Sequence, residues 1–513
     1  MIGRGARELT PSMQRLLITV CVMMATIMQV LDITIANVSL PYMQGSLSAT
    51  IDQVSWVLTS YVVAAAVMTA PVGWLAARFG IKKLLVACVT GFTVASMLCG
   101  IAQSIEEIVI FRVIQGMFGA ALVPLSQTVM LEIYPVEQRG WAMSVWGMGV
   151  MIGPIMGPIL GGWLTEFYTW RWIFFINVPF GILTVLGLLA FMRESEDDPA
   201  LAFDWFGFAA LGIGIGALQL MLDRGEQLGW FDSNEIVLTA TISAAGFYFF
   251  LAHSLTTRHP FIPFEIFRDR NFVIGLMFMF VCGVLLVASM ALMAPFLQGV
   301  MGFPIIDVGW LLGTRGLGMA LAMLMAGRLI ARSDARLMLA AGLACCTVSL
   351  YYSIGFSPDT AVSTIVWTSV LQGFGLGFMF VPLNTMALSS LPAALRTQGT
   401  AMWTLIRNLG SSIGVSVVIA NLTNTTVVMR ARLAESVTPF NQALADPAAA
   451  MLNPNTDMGR ALLDQVMVQQ AAVIAYANDF KLMMIMTLLA FPLVLLVRAK
   501  GMGLPRPAPQ PSD

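Results

Sequence analysis

The sequence predicts an all-α polytopic membrane protein of two six-helix halves with two further helices between them. Three observations predict it. Of 513 residues, 58% are hydrophobic and 11% charged, with a mean hydropathy of +0.82, whereas a soluble chain carries about 25% charged residues. The apolar residues fall in repeated runs of about 18 to 25, each long enough to cross a hydrocarbon core of about 30 Å as a helix. The first six runs and the last six also share phrases at a nearly constant offset. Gly73-Trp-Leu-Ala-Ala-Arg78 matches Gly327-Arg-Leu-Ile-Ala-Arg332, and Gln115-Gly116 with Pro124-Leu125 matches Gln372-Gly373 with Pro382-Leu383. Gly140-x-Ala142-Met143 likewise matches Gly399-x-Ala401-Met402. Two parallel halves are the plan of secondary transporters, whose sites lie between the halves near the bilayer midplane. Composition excludes a soluble enzyme, and runs such as Val178 to Met192, which do not alternate, exclude a transmembrane barrel.

The first half, 1–192, holds spans at 15–38, 54–76, 84–103, 106–130, 141–164 and 172–192. Arg4, Arg7 and Arg15 before the run from Leu16 resemble a signal peptide, but the run is too long and lacks a small-residue cleavage site, so it is read as a retained span. An acidic linker and two spans at 205–222 and 234–254 fill 193–270. The second half, 271–513, holds spans at 271–296, 308–330, 336–356, 362–389, 400–421 and 478–498. Its hydrophilic stretch at 421–478, with Pro439, Pro447 and Pro454, predicts irregular and short helical structure facing outward. An even count puts both termini on one side, and with that side cytoplasmic most of the 27 Lys and Arg fall in the tails and inner loops, as the positive-inside rule requires.

Ionisable residues inside a bilayer are costly enough to mark function. Asp32 lies about six residues inside the outer end of span 1, roughly 9 Å deep, and Arg112 lies at nearly the same depth in span 4. A buried carboxylate that can exchange an Arg partner for a proton or a cationic substrate is the minimal proton-coupling element, since burial penalises its charged form and the Arg favours it. The alternative is a fixed ion pair that sets helix register. Arg315 in span 10 and Arg407 with Asn408 in span 13 are candidates for a substrate cavity or a gate, the alternative being Arg side chains that snorkel or meet helix-end carbonyls. Three intramembrane Arg against one Asp hint at acidic substrates. Span 5 reads Gly147-Met-Gly149-Val-Met-Ile-Gly153-Pro154-Ile-Met-Gly157-Pro158, with small residues at a spacing of four that let another backbone pack closely. Gly73, Arg78, Gly80, Lys82 and Lys83 form a tight basic turn. The 36 Met and 31 Phe suit an adaptable pocket. His253 falls at the very end of the span at 234–254 and His259 in an inner loop, the six Cys lie inside apolar runs, and there is no metal-ligand cluster, so neither an intramembrane enzyme nor a metal or other cofactor is expected. No phosphate-loop motif is present, so ATP is not the direct energy source, and a net charge of -1 gives no case for nucleic acid.

At these residues the chain resembles the major facilitator superfamily, and within it the fourteen-span drug:proton antiporters of the EmrB/QacA type. The resemblance covers essentially the whole chain. It rests on Leu31-Asp32-Ile-Thr-Ile-Ala-Asn37-Val-Ser-Leu-Pro41, on Arg112-Val-Ile-Gln115-Gly116, on the span 5 series, and on Trp172-Ile-Phe-Phe-Ile-Asn177-Val-Pro179 and Leu222-Asp-Arg-Gly225. It implies a major facilitator fold of fourteen spans, proton coupling through Asp32 and Arg112, and an antiporter motif at Gly149, Gly153, Pro154, Gly157 and Pro158; Gln115 joins Arg315, Arg407 and Asn408 as a candidate for the cavity or gate. The family's inner-loop motif corresponds to Gly73, Arg78, Gly80 and Lys82, with Ala77 and Ala331 where an Asp is usual. The function implied is proton-driven export of hydrophobic toxic compounds across a bacterial inner membrane by alternating access, together with a periplasmic adaptor of the EmrA kind and an outer-membrane channel. The alternative is a narrow exporter of one metabolite or siderophore.

Overall fold

The computed structural model describes residues 10–194, 201–257, 260–330, 333–437 and 456–497. Among them lie eighteen α-helices and no strand. The first half comprises α1 (Pro11–Ser46), α2 (Ile51–Thr69), α3 (Val72–Phe79), α4 (Ile81–Ile101), α5 (Ile105–Gly119), α6 (Leu122–Ile133), α7 (Arg139–Phe167), α8 (Trp172–Phe175) and α9 (Asn177–Phe191). The inserted pair is α10 (Trp205–Arg224) and α11 (Asn234–Thr256). The second half comprises α12 (Arg270–Pro295), α13 (Ile305–Leu329), α14 (Ala335–Ile354), α15 (Val362–Ser389), α16 (Ala393–Glu435), α17 (Asp457–Leu489) and α18 (Phe491–Leu496). We call the end where α1 begins basal and the opposite end distal.

Local chemistry sets the helix ends. Thr50 and Gln53 form a capping box at the start of α2, and the carboxylates of Asp204 and Asp269 accept from the first turns of α10 and α12. Span 2 is bent by 57° between α2 and α3, at Pro71, which has no N–H to continue the ladder. Gly80 ends α3 at a φ of 81°, a left-handed value that favours glycine. Among the described residues twelve helices, some of them joined pairs, are long and apolar enough to cross a membrane, and the bent pair makes thirteen. With the 29 residues of α7, the architecture is compatible with the fourteen spans expected.

One expectation is corrected. The 421–478 stretch is not irregular over most of its length, because α16 continues to Glu435 and α17 begins at Asp457. Hydropathy reports solubility in lipid and not helix propensity, and Pro439, Pro447 and Pro454 all lie in 438–455, outside the described residues. The two extensions pair as an antiparallel hairpin in which Arg430 Nε and Nη2 donate to Asp464 Oδ1 at 3.0 and 2.6 Å.

Lipid is as apolar as a leucine side chain, so helices in a membrane associate through close packing and hydrogen bonds. The α7 glycines act in this way: side-chain carbons at Gly149, Gly153 and Gly157 would overlap Met23, Val30 and Thr34 of α1. Thr34 Oγ1 donates to the Gly153 carbonyl at 3.0 Å. The other face of α7 meets α13 along its length, with Gly140 against Ile330, Gly147 against Met323 and Ile159 against Gly309. Near the basal end Gln127 of α6 donates to Asn384 of α15, and Thr128 and Thr400 share a hydrogen bond of 2.8 Å. Gly73 there lies against Gln398 of α16. The halves are thus drawn together at the basal end. The inserted pair is not peripheral, since Thr59 of α2 donates to Asp223 of α10 and Ser416 of α16 donates to the Leu222 carbonyl. α10 therefore bridges the two halves.

Candidate functional site

Asp32 is 2% exposed and Arg112 fully buried. Arg112 Nη1 donates to Asp32 Oδ2 at 2.5 Å and to Gln115 Oε1 at 2.8 Å, while Gln115 Nε2 donates to Asp32 Oδ1 at 2.9 Å. Arg112 and Gln115 stand three residues apart on α5, on one helix face. Asn177, the first residue of α9, adds a third donor to Asp32, at 3.0 Å, and a second bond to Ser96 of α4. Ser96 in turn donates to the Phe174 carbonyl at 2.9 Å. From α2, the Val57 carbonyl accepts Arg112 Nε at 2.9 Å, and the Tyr61 ring lies 4.2 Å beneath the guanidinium. Five helices thus meet in one network, with α5 and α9 donating to the α1 carboxylate and α2 and α4 holding those donors.

A cation and two amides thus donate to the Asp32 oxygens in a buried site, where hydrogen bonds to a charged partner are short and strong. Protonating Asp32 would remove the counter-charge of Arg112 and turn an acceptor into a donor. Arg112 Nη2 is buried without a partner, so an unused donor already stands beside the pair. Polar networks of this kind have discrete arrangements rather than gradual ones.

The other predicted residues fall at separate places. Gln115 is fully buried within the Asp32 network. Arg315, 6% exposed, donates from Nη2 to Ser289 Oγ at 2.5 Å and to the Leu285 carbonyl at 3.1 Å, leaving Nε buried and unpartnered. Arg407 lines a small apolar cavity with Met279, Cys282, Leu286, Met319, Leu376 and Phe380. Among the described residues neither Arg315 nor Arg407 has a carboxylate partner. Asn408, half-buried, follows it on α16. Gly149, Gly153 and Gly157 form the α1 seam; the side chains of Pro154 and Pro158 lie outside the described residues. In the basal turn Gly73 meets α16, Gly80 closes α3, Arg78 has a partner, and Lys82 lies 3.7 Å from Glu194. Ala331 and His259 are outside the described residues; His253 lies 2.9 Å from Asp204 at the basal end.

Sequence reasoning missed Asn177, Ser96 and Tyr61 as partners of the ion pair. Asn177 stood within a quoted phrase, but an amide carries no cost comparable to that of a buried charge to mark it out. A second buried carboxylate, Asp479 on α17, was also missed.

The comparisons agree with this architecture. The model of the Major Facilitator Superfamily matches residues 22–415. The chain is 36% identical over 430 residues to the multidrug export protein EmrB of Escherichia coli K12, covering 83% of this chain and 84% of the relative. It is 32% identical over 484 residues to the fatty acid resistance protein FarB of Neisseria gonorrhoeae, covering 94% and 96%. Among solved structures, the proton:xylose symporter XylE superposes with a TM-score of 0.58 at 12% identity, over 92% of this chain and 95% of that one, a likeness of fold.

Proposed function

The chain belongs to the major facilitator superfamily, in the group that contains EmrB, and from that premise we propose that it exports hydrophobic toxic compounds of several kinds by proton-driven antiport. It is a multi-pass membrane transporter rather than an enzyme. The observation that carries the coupling mechanism is the buried Asp32–Arg112 pair, saturated by Gln115 and Asn177. The basal end is assigned to the cytoplasm and the membrane to the bacterial inner membrane, with both termini cytoplasmic. A proton reaching Asp32 from the distal side displaces Arg112, and this biases the rocking of the halves about the α7–α13 seam. The glycines of α7 keep α1 and the seam moving as one body.

Substrate is assigned to the Arg407 cavity. An apolar pocket with one unpaired guanidinium suits a lipophilic weak acid, and the fatty acid resistance named for the FarB relative is consistent with that chemistry. The α16–α17 hairpin, with Val427, Met458, Val466 and Val468 exposed, is assigned as the contact for an EmrA-like adaptor that leads to an outer-membrane channel.

The test is substrate-induced collapse of an imposed proton gradient in proteoliposomes, over a panel of lipophilic cations and weak acids. Several unrelated compounds are expected to collapse it; one alone would make the protein a narrow exporter, and none would overturn the proposal. In the same panel Arg407→Gln is expected to lower the apparent affinity for the acids about tenfold or more, the worth of a charge-assisted hydrogen bond of about 1.5–3 kcal/mol. An equal loss for cations would sink the assignment of Arg407 to acid binding.

A further inference from the structure

Asp479 of α17 is 0% exposed. Its Oδ1 accepts one hydrogen bond, from Asn421 Nδ2 of α16 at 2.7 Å, and its Oδ2 is buried with no partner. Among the described residues no cation pairs with it. The titratable group facing it is Tyr476, one turn away on the same helix, and the surroundings are aromatic: Tyr476 packs on Phe296, just beyond α12, and Phe480 on Phe356 beyond α14. On α16 the charged residues either side of Asn421 are Arg407 and Arg430, both more than two turns away, and Arg430 is engaged with Asp464. Lys481 points out of the bundle, where it is exposed.

Asp479 and Asp32 share a depth. Seventeen residues separate Asp32 from Arg15 and eighteen separate Asp479 from Val497, roughly 26 and 27 Å at 1.5 Å per residue, near the distal edge of a core of about 30 Å. They lie in opposite halves with opposite surroundings. Asp32 has an Arg and two amides; Asp479 has one amide and one empty oxygen. An ionised carboxylate left so poorly supplied with donors away from water carries a large desolvation penalty that the neutral acid avoids.

We propose that Asp479 is a second proton-binding site, occupied in the conformation seen here, in which Asp32 is paired with Arg112. The proton sits on Oδ2, and Oδ1 remains the acceptor for Asn421. It leaves to water admitted between α16 and α17, giving a hydronium ion and a carboxylate held by Asn421 and that water. Release therefore requires α16 and α17 to part locally. Proton occupancy stands on the geometry alone; its use in export rests on the antiport reading.

Infrared spectroscopy of the purified full chain in lipid, recorded against pH, tests occupancy through the carbonyl stretch of a protonated carboxylic acid. At neutral pH the band is expected in the wild type and in Asp32→Asn, to disappear in Asp479→Asn, and to decline as pH rises. Asn421→Leu, which keeps the carboxyl and removes its hydrogen bond, should shift the band's frequency. A band untouched by Asp479→Asn, or one unchanged up to strongly alkaline pH, would overturn the proposal, the latter leaving a fixed clasp. Protons moved per substrate in proteoliposomes should fall by one in Asp479→Asn; an unchanged ratio would exclude Asp479 from the cycle. If the wild type shows the Asp479 band but no substrate-linked proton movement, the antiport reading fails and the proton site stands.

Discussion

Asp32→Asn is expected to reduce substrate-driven proton movement to the level of empty liposomes. The amide cannot exchange a proton, and its weaker acceptor leaves Arg112 without a counter-charge in a fully buried site. Removing one partner of a buried ion pair costs about 3–5 kcal/mol, so the melting temperature should fall as well. The pair Asp32→Asn with Arg112→Gln separates the two effects. With no charge left unpaired, the double variant should regain much of the stability while coupled transport stays absent. Measuring both quantities on both proteins checks this, and an Asp32→Asn protein that still concentrates substrate against a gradient would remove Asp32 from the mechanism.

The second large effect is expected at Gly153. A side-chain carbon there would lie 2.5 Å from Val30 Cγ1 and 2.9 Å from the Val30 carbonyl carbon, and backbone cannot turn aside as a flexible side chain can. Gly153→Leu should force α7 away from α1, break the Thr34 hydrogen bond and cost about 1–3 kcal/mol or more. Since the same helix forms the seam with α13, substrate-driven transport should be lost. Gly162, on the same helix with nothing within 4 Å, supplies the control: Gly162→Leu should leave thermal stability and transport close to wild type. Equal behaviour of the two variants would mean that α7 tolerates separation from α1.

What could be read from the sequence follows the size of the penalties involved. Asp32 and Arg112 were visible because a charge in a bilayer is expensive wherever it sits, and their depths could be counted along two apolar runs. The α7 glycines were visible as a spacing, although which helix they met was not. Asn177 and Ser96 were hidden, because polar uncharged residues occur throughout such helices and only the tertiary fold shows which of them reach the carboxylate. Asp479 was hidden for another reason. Hydropathy puts the start of the last span at 478, so the residue reads as belonging to the interface, but α17 begins at Asp457 and carries it into the packed core. The same limit of hydropathy led to irregular and short helical structure being expected where α16 and α17 extend as long helices.

The 43 residues of α16 form one uninterrupted helix, roughly 65 Å long at 1.5 Å per residue. Along that rod Thr400 touches the basal junction, Arg407 the cavity, Ser416 the inserted pair, Asn421 the second carboxylate, and Arg430 the distal hairpin. A rigid rod is a lever. A tilt of about 10° at its foot sweeps the far tip through roughly 11 Å on that length, far more than the displacement at the cavity itself. The hairpin is therefore a mechanical pointer to the state of the transport path, and a partner seated on it would be moved by each cycle without ever touching the substrate.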